Sequence, residues 1–501
     1  MLPDSDRQAG DLAAPTPRAT VALGFPSIRM VVENDVCVGC GVCSVATGGD
    51  IDVTMNEKGY YSAQLNSLPE STVAVGSSVC PFADETPDET AVADRLFTST
   101  PSEDPVVGRY ISIQVGRVTS DQRLLGSSSG GMTSWLAGEL LDKGLVDGVI
   151  HVGSATEPLF EYMTSGDTEG LESNRKSMYY STTVTEVVNR IRGDGLRYAF
   201  VGVPCFVTAM RHLGASDEVL ASQVKYFIGL VCGHLKSSFF AQSLAWQTGV
   251  APDRIDSVDF RVKREGRQSS DYDFSAIDSS TGTEFSRPTN SLIGGNWGHG
   301  LFQLNACNFC DDIFGETADI TFGDAWLPRF KDDWRGTNVV VCRDPQLAEL
   351  LQDGVSDGRL LLEPLGAEEA AVTQEGNVRH RRVGLSVRLA DDAAEGSWTP
   401  DKRVVASYEG VDDDRLAIIR SRRKLTERSF EVFPRAVAAG NLGKYIMGMS
   451  IHIARHDVLY FRRSLGKIKR GYVVFVRGVW VPSISELRRR SRASTSNGQA
   501  D

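Results

Sequence analysis

The stretch "CVGCGVCSVATGGD", residues 37–50, sets Cys37, Cys40 and Cys43 three residues apart with glycines between them. Few patterns restrict a fold so tightly. Three thiols at this spacing wrap one face of a cubane iron–sulfur cluster, whereas zinc sites pair two C-x2-C knuckles across a longer loop. Gly39, Gly41 and the small Ser44 let the backbone fold closely and aim amide N–H groups at the sulfurs. A cubane takes four thiolates, and Cys80, followed at once by Pro81, has the form that closes ferredoxin-type sites. Only one such run is present, so Cys80 is expected to complete the same [4Fe-4S] cluster. A zinc knuckle, in a non-redox interaction module, is the competing reading.

The rest of the chain must house this centre. At 501 residues it is long enough for two or three domains. A hydrophobic content of 41% and a charged content of 24% match a globular protein, and the absence of a run of about 18 apolar residues argues against a membrane span. The start, "MLPDSDRQAGDLAAPTPRAT", has neither a basic n-region nor an apolar h-region, so residues 1–27 read as a disordered leader and the expected location is cytoplasmic. Nine cysteines in a reducing compartment point to metal or redox chemistry rather than disulfides. The formal charge of −12 is unevenly spread, because residues 401–501 carry 21 Lys and Arg against 10 Asp and Glu. That segment is expected to be a basic, mainly helical extension that docks an acidic partner or an anionic membrane surface, or else a solvated helical cap. No nucleic-acid partner is expected.

Between the ends, residues 28–105 hold the cysteine run, short β-like stretches such as "GYYSAQL", and an acidic linker, "ADETPDETAVAD". From about 106 to 345 strands alternate with helices: "YISIQVGRV", "VDGVIHVG" and "RYAFVGVPC" read as strands, "GGMTSWLAGELLDKG" and "VTEVVNRIRGDG" as helices. This predicts an α/β fold around a largely parallel sheet. Residues 346–400 look less regular.

Five cysteines remain. "CNFC" supplies Cys307 and Cys310, while "GVPC" and "GLVCGH" place Cys205 and Cys232 at strand ends. Strand ends of an α/β sheet converge on one edge, so these four are candidates for a second four-thiolate site, or else buried core thiols. Cys342 has no partner motif and reads as core. In "LLGSSSGGMTSWLAGELL" a Gly/Ser-rich turn opens a helix, presenting N–H groups and hydroxyls to an anion. It matches neither G-x-G-x-x-G nor a Walker loop, and an ordinary turn with an N-cap is the plain alternative.

"SSSGGMTSWLAGELLDKGLVDGVI", "VGVPCFVTAMR", "FIGLVCGH" and "CNFCDDIFGETADITFGDAW", in this order, resemble the coenzyme F420 hydrogenase/dehydrogenase beta-subunit family, which also contains 7-hydroxymethyl chlorophyll a reductase. The resemblance spans roughly residues 30–345. It implies a ferredoxin-like segment over 28–105 and an FAD-binding α/β domain over 106–400 with a second [4Fe-4S] cluster on Cys205, Cys232, Cys307 and Cys310. It also implies that Ser128, Ser129, Gly130, Gly131 and Thr133 belong to the flavin loop. Arg175, Lys176 and Ser177 of "NRKSMYY" would meet a flavin or substrate phosphate, unless they form a solvated turn. Asp324 of "FGDAW" would orient the cluster loop or the flavin, unless it is a cap. His234 and His299 are candidates for proton delivery, although a lone histidine is more often structural. Members pass electrons between clusters, FAD and a second substrate, which is the deazaflavin coenzyme F420 in one branch. A ferredoxin or a redox partner subunit is the expected donor. The sequence leaves open a non-catalytic electron-transfer subunit, a ferredoxin-dependent reductase of a pigment or polysaccharide precursor, and homo-oligomer formation.

Overall fold

The computed structural model describes residues 27–465. The expected leader before Ser27 and the basic runs after Leu465 lie outside the described residues. An eight-stranded sheet organises the chain, in the order 360–364, 112–118, 338–342, 320–324, 224–230, 198–202, 148–154, 160–165. Only the four strands from 320–324 to 148–154 run parallel to one another, and every other pairing is antiparallel. The sheet is therefore mixed rather than largely parallel. Ser112–Val118 does not pair with the strand that follows it in sequence but with Asn338–Cys342 and Leu360–Pro364, so its neighbours arrive more than 200 residues later.

Alternation along the strands builds two apolar layers. Val149, Ala199 and Ile228 face one layer with Trp135, Leu136 and Leu140 of the helix Met132–Asp142. Ile150, Phe200 and Phe227 face the other, where they meet Val207 and Met210 of the helix Pro204–Ser216 and also Val36, Val42 and Val73 of the cysteine-bearing segment. That segment consequently shares a core with the sheet. Its "acidic linker" is a helix over Glu89–Leu96, capped by the Asp88 carboxylate that accepts from Ala91 N–H at 2.8 Å, and Glu89 is buried.

Residues 346–400 prove regular, with helices at Pro345–Ser356, Ala367–Thr373, Glu375–Arg381 and Val383–Glu395. The two long helices that follow, Asp413–Ala438 and Leu442–Leu465, are built into the body rather than standing off it. Leu425, Phe433, Tyr445 and Met449 pack with Phe240, Phe274 and Phe302 in a third core. Among the described residues no helix is long and apolar enough to cross a membrane.

Phe433 is 1% exposed and its ring lies 5.3–5.5 Å from those of Phe239, Phe302 and Tyr445. Phe433→Ala is expected to lower the stability of the whole protein by about 3–5 kcal/mol in urea denaturation. A loss below about 1 kcal/mol would mean that the helix is only laid on the surface.

Candidate functional site

The loop carrying Cys37, Cys40 and Cys43 turns where Gly39 and Gly41 adopt φ of +70° and +85°. A Cβ at Gly39 would lie 2.3 Å from Tyr61 O, and one at Gly41 would lie 2.1 Å from Thr183 Oγ1, so only glycine fits either position. Gly39 N–H donates to Cys37 Sγ at 3.4 Å. Val184 N–H donates to Cys40 O at 2.8 Å, and the Thr183 hydroxyl joins it at 3.3 Å, fixing the loop to the sheet domain. Cys80 closes the set, and all four cysteines line one small cleft with Val38 and Phe82. Burial pushes Cys40 up to about 12, and Cys37 beside it adds to the rise.

The second set gathers at an edge of the sheet. Cys205 follows Tyr198–Gly202 and Cys232 follows Val224–Leu230, two adjacent parallel strands that present the same edge. Cys307 and Cys310 come to that edge on the turn beginning at Asn305. Burial first, then Cys310, Cys232 and Cys307, raise the Cys205 thiol, and Cys40 of the first set contributes to the same rise. Leu235 N–H donates to Cys307 Sγ at 3.2 Å. The buried Arg381 places Nη1 2.9 Å from Cys310 Sγ and donates through Nη2 to Gly233 O at 3.0 Å. Nothing in the sequence marks Arg381, which falls in the less regular stretch 346–400. Cys342 is a fully buried core residue, and all nine cysteines are free.

Among the described residues, no three His, Cys, Asp or Glu side chains gather as ligands of a single metal ion would. The first set lines one cleft, and each set offers four thiols, the number a cubane takes with one on each iron.

A cavity of about 300 Å³ opens at the carboxyl ends of the parallel strands, where open α/β sheets hold ligands. Ser128, Ser129, Gly131, Thr133, Arg175, Lys176, Ser177 and Asp324 all line it, as do Cys232 and His234. Gly130 stands behind it: a Cβ there would lie 2.8 Å from Asn338 Oδ1 and 2.9 Å from Gly116 O. Gly131, with φ +74°, opens the helix Met132–Asp142, whose first N–H donates to Asn338 Oδ1 at 3.2 Å. Ser177 N–H donates to Ser128 Oγ at 2.7 Å. Arg175 donates to Gly126 O at 3.2 Å, and Lys176 pairs with Asp259 at 3.0 Å, so neither belongs to a solvated turn. Lys263, absent from the motif reading, donates to Leu124 O, Ser129 O and Arg335 O at 2.6–2.9 Å and so holds the loop from behind. Asp324 is no cap; its carboxylate meets the buried Arg261 at 2.9 Å. His234 stacks on Trp297 with ring centroids 4.3 Å apart. His299 lies off this cavity and contacts Asp457 at 3.0 Å.

Two models of one family account for half of the chain. The model for the N terminus of the coenzyme F420 hydrogenase/dehydrogenase beta subunit matches residues 113–189, and the model for the C terminus of that same protein matches residues 195–368. The chain belongs to the coenzyme F420 hydrogenase/dehydrogenase beta-subunit family. It is similar to one of the subunits of the F(420)H(2) dehydrogenase of Methanosarcina mazei, 25% identical over 378 residues that cover 71% of this chain and 94% of the relative. Among solved structures it is similar to a chain of the F420-reducing [NiFe] hydrogenase complex from Methanosarcina barkeri, with 19% identity and a TM-score of 0.46 over 60% of this chain and 98% of that one.

Asp324→Ala leaves Arg261 buried without its carboxylate, and the loss expected in urea denaturation is about 3 kcal/mol. The double variant Asp324→Ala/Arg261→Leu should recover most of it. A single variant as stable as the wild type would show that Arg261 is solvated after all.

Proposed function

We propose that the protein is an iron–sulfur flavoprotein that moves electrons between a one-electron partner and an organic substrate. One observation carries this reading: the two cysteine sets share one apolar core, with Cys40, Cys43 and Cys310 inside it and Cys205 packed against it, and the second set reaches the cavity wall at Cys232. A relay with a one-electron entry and a two-electron end needs that order. Cys37, Cys40, Cys43 and Cys80 would hold one [4Fe-4S] cluster, and Cys205, Cys232, Cys307 and Cys310 the other. A bound FAD would supply the conversion, exchanging hydride with an organic molecule and single electrons with clusters.

The chain's own groups suit these tasks. Ser128, Ser129 and Thr133 offer hydroxyls beside the positive end of an eleven-residue helix, which favours a phosphate. Arg175 and Lys176 add positive charge on the same wall. Tyr179 and Trp297, with ring centroids 4.8 Å apart, give the cavity an aromatic end fit for a planar ring. Arg381 places a fixed positive charge against the second cysteine set, which favours its more reduced, more negative state. Family membership and the dehydrogenase relative named above support a redox partner subunit and coenzyme F420 as one candidate substrate. A ferredoxin is the alternative donor, meeting the first cysteine set.

Anaerobically purified protein is expected to contain about eight iron atoms and one FAD per chain. Cys37→Ala should abolish reduction by ferredoxin while leaving FAD bound and reducible by dithionite. Cys307→Ala should lower FAD retention as well as iron, since its set joins three distant segments beside the cavity. Zinc in place of iron, or two variants that behave alike, would count against the relay.

A further inference from the structure

A second cavity, of about 390 Å³, shares the His234–Trp297 pair with the first, so that this stacked pair forms a wall common to both. Its remaining walls come mainly from the helices Glu375–Arg381, Val383–Glu395 and Asp413–Ala438, all of which follow residue 368, where the family match ends. Five arginines line it, Arg379, Arg388, Arg415, Arg422 and Arg423, with one carboxylate, Glu375, that Arg379 holds at 2.8 Å; two of the five stand against His380. Arg388, 2% exposed, donates to Asn308 O at 2.9 Å and His380 O at 3.1 Å, and stands 3.3 Å from His380 Nδ1. Arg422 donates to Gly298 O and to Gln303 Oε1, both at 2.8 Å, and approaches the same His380 nitrogen at 3.0 Å.

None of these partners is acidic, and among the described residues neither Arg388 nor Arg422 has a carboxylate at ion-pair distance. Arg423 differs: it is paired with Asp392, 3.0 Å from Nη2, so that this carboxylate is already engaged. Burial, helped by neighbouring cations, holds Arg422 down at about 10 and depresses Arg388 as well. Burial and the same two arginines keep His380 neutral, so it offers no compensating charge of either sign. Two guanidinium groups, one fully and one partly buried, crowd on one neutral imidazole without a counter-ion. That is unfavourable unless something supplies the balance. Arg261 and Arg403 meet carboxylates. Arg343 and Arg381 are buried without one, but Arg343 is held by four enclosed oxygens and Arg381 by a thiol and carbonyls at the second cysteine set. Arg388 and Arg422 differ in opening onto a cavity, the one that adjoins the proposed flavin site.

We propose that Arg388 and Arg422 bind a phosphate or carboxylate group of the organic substrate in this second cavity, while the rest of that molecule meets the His234–Trp297 wall. The inference rests on the redox reading above for its substrate, and it assigns recognition of that substrate to the helices after residue 368. A guanidinium pair matches either oxyanion by bidentate hydrogen bonds.

The test uses the full-length protein loaded with its cofactors, titrated with inorganic phosphate and separately with citrate, and read by calorimetry. Saturable binding of at least one anion is expected, and whichever binds more tightly tells a phosphate-bearing substrate from a carboxylate-bearing one. Arg388→Gln and Arg422→Gln should each weaken that binding at least tenfold, whereas Arg192→Gln, which removes an exposed arginine paired with Asp217 away from this cavity, should change it less than threefold. Arg422→Lys keeps the charge and guards against misfolding; it should bind more tightly than Arg422→Gln. Absence of saturable binding to the wild-type protein overturns the proposal, as does equal weakening by Arg192→Gln. Iron and flavin assays on the same sample separate the two readings. Cofactor-replete protein that ignores both anions refutes this inference alone, while anion binding by protein devoid of iron and flavin refutes the redox reading and leaves the anion cavity standing.

Discussion

One guanidinium joins parts of the chain that are far apart in sequence. Arg403 reaches Glu316 through two hydrogen bonds of 2.8 and 2.9 Å, Asp311 at 3.3 Å and the Thr90 hydroxyl at 2.9 Å, while Lys402 beside it meets Asp311 at 3.2 Å. Asp311 follows Cys310 directly, and Thr90 lies on the helix that follows the first cysteine set. The beginning of the basic extension is thus bound to the loop that presents the second cysteine set and to the segment that presents the first. Buried charges are costly unless matched, and here the pairing is strong enough to hold Asp311 ionised far below the ordinary carboxylate range. Removing any one member would leave the others stranded, so the placement of both cysteine sets relies on this cluster being complete.

The parts of the protein legible in its sequence are those governed by local rules. C-x2-C-x2-C spacing, glycines with positive φ and strands ending in cysteine depend on neighbours within a few residues, and in the fold each cysteine quartet gathers from just these motifs. The strands at 112–118, 148–154 and 198–202 follow from apolar patterning for the same reason. What local rules do not encode is pairing across hundreds of residues. Asn338–Cys342 enters the sheet antiparallel between two strands of very different chain position, and no periodicity announces that.

Charged residues mislead in a more instructive way. Glu89, Lys402 and Arg403 sit in stretches that read as a linker or a separate basic extension, Arg381 and Arg388 in one that reads as less regular, and all are buried or nearly so. Their burial is a property of their partners, which lie elsewhere in the chain. The basic extension likewise reads as a separate surface, yet between residues 401 and 465 part of its positive charge is engaged inside the protein, on Asp311, Glu316 and Asp392.

The shared core beneath the first cysteine set has a kinetic consequence. Carriers that swing on a tether deliver electrons at a rate set by how quickly the tether searches space, and that rate slows in a thick solvent. Here the helix Val42–Ala46 lies against Pro204–Ser216, and the loop that carries Cys40 is stitched to residues 183–185 by main-chain and hydroxyl bonds. The separation of the two quartets is therefore a constant of the fold. Any passage of charge between them takes place across packed protein, indifferent to viscosity, and diffusion enters only when a partner molecule arrives from outside.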